Sequence, residues 1–78
     1  MSTEITAIDV RQALCEVAEE LGWQRTRRER ADIYRRGIFH LHAIWRDDSF
    51  LNGGALYEDL IMLSYSSDLA RLKSWLAR

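Results

Sequence analysis

The 78-residue chain contains no proline, so its turns must be signalled by glycine and by short polar side chains. Its single cysteine, Cys15, excludes an internal disulfide, and one Cys with two His is too few soft ligands for a structural zinc site. Lysine is nearly absent: Lys73 stands alone against ten arginines. No apolar run approaches the roughly 20 residues of a membrane span. The first ten residues, "MSTEITAIDV", have neither the basic region nor the apolar core of an export signal. With a lone thiol, these absences lead us to expect a cytoplasmic protein with no membrane partner. A net charge of −1 suggests no bulk attraction to nucleic acid or anionic lipid.

What is present fits a single α+β domain spanning residues 1–78, with 1–6 as a flexible N-terminus. A chain this short buries roughly 60% of its unfolded surface, so the core is modest and a partner subunit would help it. Trp23, Trp45 and Trp75 supply much of the apolar area. Charge is segregated: residues 1–22 carry net −4, 23–46 net +5, 47–66 net −4 and 67–78 net +2. Such blocks suit intramolecular pairing, a basic patch or head-to-tail self-association.

Thr6 and Asp9 read as a variant capping box for a helix over 7–21. Val10, Ala13, Leu14, Val17, Ala18 and Leu21 form its apolar stripe, with Arg11, Gln12, Glu16, Glu19 and Glu20 off it. Gly22 is a natural stop, with Trp23 folding back on the last turn. The period then becomes two. Phe39, Leu41, Ala43 and Trp45 alternate with His40, His42 and Ile44, which predicts a strand whose first set faces the helices. Ile33 and Tyr34 sit in a preceding strand across an Arg36-Gly37 turn. Asp47-Asp48 marks the next turn, into a third strand over 49–57. Gly53-Gly54 inside it suggests a bulge or a close backbone approach. "LIMLSY", residues 60–65, is expected to be extended or irregular. Ser66 or Ser67 caps a last helix whose stripe is Leu69, Leu72 and Leu76, with Trp75 alongside. The expectation is an N-terminal helix, a three-stranded antiparallel meander and a C-terminal helix. Both helices pack on one face, with Leu14, Val17, Leu21, Leu72 and Leu76 over the central strand.

His40 and His42 share a strand face and could hold a metal if a third ligand joined them. With Arg36-Gly37 as a two-residue turn, residue 33 faces 40, residue 31 faces 42, and Asp32 pairs with Leu41. The Asp32 side chain then points away from both histidines, so no metal site is expected. Cys15 lies beside the apolar stripe of an acidic helix, as an inert core thiol does. The acid pairs Glu19-Glu20, Asp47-Asp48 and Glu58-Asp59 are neighbours that do not face one another. Gly53-Gly54 lacks the Lys-Ser/Thr of a phosphate loop. No catalytic residue, enzyme activity or cofactor is expected.

The arginine cluster is the candidate interaction surface. Arg25, Arg27, Arg28, Arg30, Arg35 and Arg36 fall within twelve residues. Alternation puts Arg25 and Arg27 on one face, with Arg28 and Arg30 on the other, and guanidinium forks suit phosphate or carboxylate. Charged strands of this kind also guard a sheet edge. The element order is similar to that of the double-stranded-RNA-binding domain. That domain's last helix usually starts lysine-rich, whereas here it reads "SSDLARLKSW". The leading expectation is therefore a non-enzymatic interaction module for a protein partner, either a second copy or a host protein. Nucleic-acid binding by the Arg25–Arg36 hairpin is the alternative.

"ADIYRRG", "HAIW", "GGALYEDLIMLSY" and "DLARLKSWLAR" resemble, in texture and length, small accessory proteins of actinobacterial phages, mycobacteriophages in particular. The likeness covers most of the chain after residue 30. It implies a phage-encoded protein acting in the host cytoplasm and assigns no functional residue.

Overall fold

Gly22 ends the first helix as its sequence position suggests, and everything downstream is set by the chain leaving there. The computed structural model describes residues 9–78. Helix α1 spans Val10–Glu20 and is capped by Asp9, whose carboxylate accepts from the Gln12 amide at 2.8 Å. Thr6, the expected helix start at residue 7 and the expected flexible stretch 1–6 lie outside the described residues. At the other end Gly22 takes φ +90°. Its N–H donates to Glu19, and that of Trp23 donates back to Ala18, the paired bonds of a Schellman motif. Trp23 folds under the helix, buried, with its indole N–H on the Leu76 carbonyl at 2.9 Å.

Five strands follow: β1 Gln24–Arg27, β2 Ala31–Arg36, β3 Phe39–Asp47, β4 Phe50–Glu58 and β5 Ile61–Ser66. They form one antiparallel sheet in the order β1-β2-β3-β4-β5. Helix α2, Leu69–Leu76, closes the chain. The α+β class stands, but the three-stranded expectation is overturned by β1 and β5. "QRTR" is too short and polar to show alternation, yet it pairs with β2 from Gln24↔Arg35 to Arg27↔Asp32. Residues 60–65, expected to be extended or irregular but not counted as a strand of the meander, supply most of β5, which pairs with β4 after a turn in which Asp59 takes φ 54°. With five strands, the element order no longer matches that of the double-stranded-RNA-binding domain.

The turn between β2 and β3 uses Gly37 and Ile38 rather than Arg36-Gly37, so Arg36 pairs with Phe39. Each residue of β2 therefore meets a partner two positions later than expected: Ile33 faces His42, and Asp32 faces Ala43. A shift of two keeps every side chain on its face. Leu41, Ala43 and Trp45 are buried towards the helices, with Phe39 at the margin of that core.

The core joins Leu14 and Ala18 of α1, Tyr34, Leu41, Trp45 and Leu56 of the sheet, and Leu72, Trp75 and Leu76 of α2. The buried stripe of α1 is Arg11, Leu14, Cys15 and Ala18, turned by one position from the expected one. Val17 is only partly buried, and Leu21 and Ala13 are exposed. Gly54 lets α2 approach, because a Cβ there would sit 2.6 Å from the Leu72 side chain and 3.0 Å from the His42 carbonyl. The cap of α2 is Asp68, not a serine. Its carboxylate accepts from the Ala70 amide at 3.0 Å, while Ser66 Oγ accepts from the Asp68 amide. Asp68→Ala is expected to cost about 1 kcal/mol, read as a lowered midpoint in urea with an unchanged slope.

Candidate interaction surface

The six arginines divide into different roles. Arg25 turns inward from β1: its Nε donates to Asp32 at 3.1 Å and its Nη1 to the Cys15 sulfur at 3.1 Å. Arg36 lies over the Trp23 ring, 4.7 Å from its centroid, and donates to the Leu21 carbonyl at 2.8 Å and to the carbonyl of Arg78. It ties the end of α1 to the chain terminus. Arg30 donates to the Arg46 carbonyl. Arg27, Arg28 and Arg35 are exposed, and among the described residues none of the three makes an ion pair. Arg28 and Arg30 lie in the β1–β2 connection rather than on a strand face. The expected patch is thus reduced to Arg27, Arg28, Arg30 and Arg35, with Arg25 and Arg36 committed to holding the fold.

Sequence reasoning missed the polar centre beneath α1. Asp32 is 0% exposed and accepts four bonds: Arg11 Nε at 2.8 Å, Arg11 Nη2 at 2.9 Å, Arg25 Nε and the Trp45 indole N–H at 3.1 Å. Arg11, 3% exposed, also donates to the carbonyls of Arg28, Glu29 and Ala31, and so pins the β1–β2 connection to α1. Burial alone would raise the Asp32 carboxyl, but the bonds from Arg11 and then Arg25 outweigh it and hold it below the ordinary carboxylate range. Burial pushes the Cys15 thiol up, away from nucleophilic use. The centre is closed to solvent and reads as structural. One signal could have found it: an acid and a base that each fall on the core-facing period of their own element.

The sheet face opposite the helices carries His40, His42 and Ile44 of β3 beside Gly53, Ala55 and Tyr57 of β4 and Met62 and Tyr65 of β5. His42 packs on Tyr57 with ring centroids 4.7 Å apart, and its burial lowers its pKa. Asp32 faces the other way, as expected. Among the described residues no group of three or more His, Cys, Asp or Glu could hold a metal ion. Gly53 has no side chain because the Tyr65 hydroxyl occupies the space of a Cβ. A shallow groove of about 260 Å³ results, with Ala55 on its floor and Ile44, Met62 and Tyr65 among its walls.

That face runs into β5, the edge of the sheet. Leu60, in the turn before it, is 93% exposed, Ile61 68%, Met62 53%, Leu63 46% and Tyr65 66%. No residue from Leu60 to Ser67 is charged. The opposite edge, β1, carries Arg25 and Arg27 in four residues. Charged edges resist pairing with foreign strands, and apolar neutral ones invite it. No family model, curated protein or solved structure matches the chain. Among the described residues no helix is long and apolar enough to cross a membrane.

Proposed function

We propose that the protein is a non-enzymatic interaction module that takes up a protein partner as an added strand along β5. The observation that carries this reading is the contrast between the two sheet edges: one guarded by arginine, the other neutral, with Leu60, Ile61, Met62, Leu63 and Tyr65 exposed. An added strand would satisfy the outward N–H and C=O groups of β5, and side-chain contacts on either side would give selectivity. If the chain is phage-encoded, its partner in the host cytoplasm is a host protein or a second copy of itself.

Affinity capture from a nuclease-treated actinobacterial lysate tests the reading, with Leu63→Lys as the comparison. Proteins retained by the wild type are expected to be lost with the variant. Retention that ignores Leu63→Lys would sink strand addition at this edge.

Arg27, Arg28 and Arg35, exposed and without an ion pair among the described residues, support a second reading, nucleic-acid binding. It requires affinity that falls steeply with salt, through phosphate neutralisation. Replacing Arg27, Arg28, Arg30 and Arg35 together by alanine should then abolish binding while the fold survives. The absence of any shift with duplex RNA, duplex DNA or single strands at low salt would remove this alternative.

A further inference from the structure

We infer that the strand added along β5 is β5 of a second copy of this chain, running antiparallel, so that two five-stranded sheets join into one of ten. The inference rests on the strand-addition reading and names its partner.

The first ground is that exposed apolar groups stand on both sides of the edge, Met62 and Tyr65 on one and Ile61, beside Ser64 and Ser66, on the other. Register places Met62 and Tyr65 on the open face and Ile61 on the helix side, across from Glu58. A protein lying on the open face would cover Met62 and Tyr65 and leave Ile61 in water. An added strand gives cross-strand neighbours to both rows at once.

The second ground is self-complementarity. Because β5 is neutral, pairing it with itself buries no unmatched charge. Antiparallel pairing of identical strands closes as a two-fold dimer. The edges then left free are the two copies of β1, where the exposed Arg27 of each copy opposes further growth.

The third ground is area. At about 150–250 Å² for a large side chain, the exposed parts of Leu60, Ile61, Met62, Leu63 and Tyr65 amount to roughly 600 Å² per copy. Full coverage would bury about 1,200 Å² for the pair, a ceiling that lies at the lower end of specific interfaces. Leu63 is skipped in the pairing with β4, between Met62 and Ser64, and such a bulge bends the edge and shortens its straight parts. An interface of this size belongs with weak, transient dimers.

Charge sets its salt dependence. Glu58 and Asp59 precede β5 and Asp68 follows it. Antiparallel pairing directs acids of one copy towards acids of the other at both ends, so added salt strengthens the dimer. Association through the alternating charge blocks would weaken instead.

Sedimentation of the full chain from low to high micromolar concentration, at two salt concentrations, tests this. The wild type should dimerise, more tightly at higher salt. Leu63→Lys should weaken association at least about tenfold, because like charges then meet near the two-fold axis. Met62→Lys, at a more exposed site across from Tyr57, serves if that variant misfolds. Hydrogen exchange of the wild type supplies a check without mutation: amides of β5 should become slower with concentration and those of β1 should not. A monomer throughout the range, a dimer indifferent to both lysines, or protection that appears on β1 overturns the inference. A monomer whose lysate capture still depends on Leu63 overturns the second copy and leaves strand addition standing.

Discussion

Asp32→Ala is expected to destabilise the protein by about 3–5 kcal/mol, the usual cost of removing one member of a buried ion pair. Arg11 would keep three carbonyl partners and its longer contact with Asp48 at 3.9 Å but lose both bonds to Asp32, and the Trp45 indole and Arg25 Nε would lose their acceptor. Small domains have total stabilities of about 5–15 kcal/mol, so much of the population could unfold. Urea titration against the wild type measures the effect. The same group governs acid stability. Its folded-state pKa is depressed, so its contribution is complete above the unfolded value of about 3.9 and is lost as pH falls through the lower folded value. The gap between wild type and Asp32→Asn should therefore narrow below about pH 4. A constant gap would show that the carboxylate is not the source.

Leu41→Ala is the second large effect, about 2–5 kcal/mol from lost burial and the cavity left behind. Leu41 is 0% exposed at the centre of β3, between Tyr34 and Leu56, with both helices above that face. His40→Ala with His42→Ala, on the other face of the same strand, should stay within about 1.5 kcal/mol, mostly the contact of His42 with Tyr57. A double histidine variant that unfolds more readily than Leu41→Ala would mean that the opposite face of β3 is the packed one.

The two helices, the central strands and the faces of β3 were legible because each rests on a local period. Gly22 and Trp23 announce the end of α1, and the alternation from Phe39 to Trp45 survives the two-residue error in register because parity is kept. The edges were not legible. β1 is four polar residues whose strand character comes from pairing with β2, not from its own pattern. β5 lacks alternation because Ile61 and Met62 lie on opposite faces and the bulge at Leu63 breaks the period before Ser64. The inward turn of Arg11 was hidden because the stripe read as Val10, Ala13, Leu14, Val17, Ala18 and Leu21 leaves Arg11 off it, whereas the buried face is turned by one position to Arg11, Leu14, Cys15 and Ala18. Of the six arginines taken as one surface, Arg25 and Arg36 went inward for a different reason: their partners, Asp32, Cys15, Leu21 and Arg78, are brought near only by the fold.

Every hydrogen-bonded neighbour in the sheet is also a neighbour in the chain. Each hairpin can therefore close without waiting for distant segments, and hairpin closure takes microseconds. The helices differ, since α1 and α2 come from opposite ends of the sequence and meet over one face, where Trp23 bonds to Leu76 and Arg36 to Arg78. Their docking is the costly loop closure, and a chain without proline has no slow isomerisation to delay it. During synthesis the sheet can thus be assembled while α2 is still emerging, and until α2 docks its side of the sheet stays open to water.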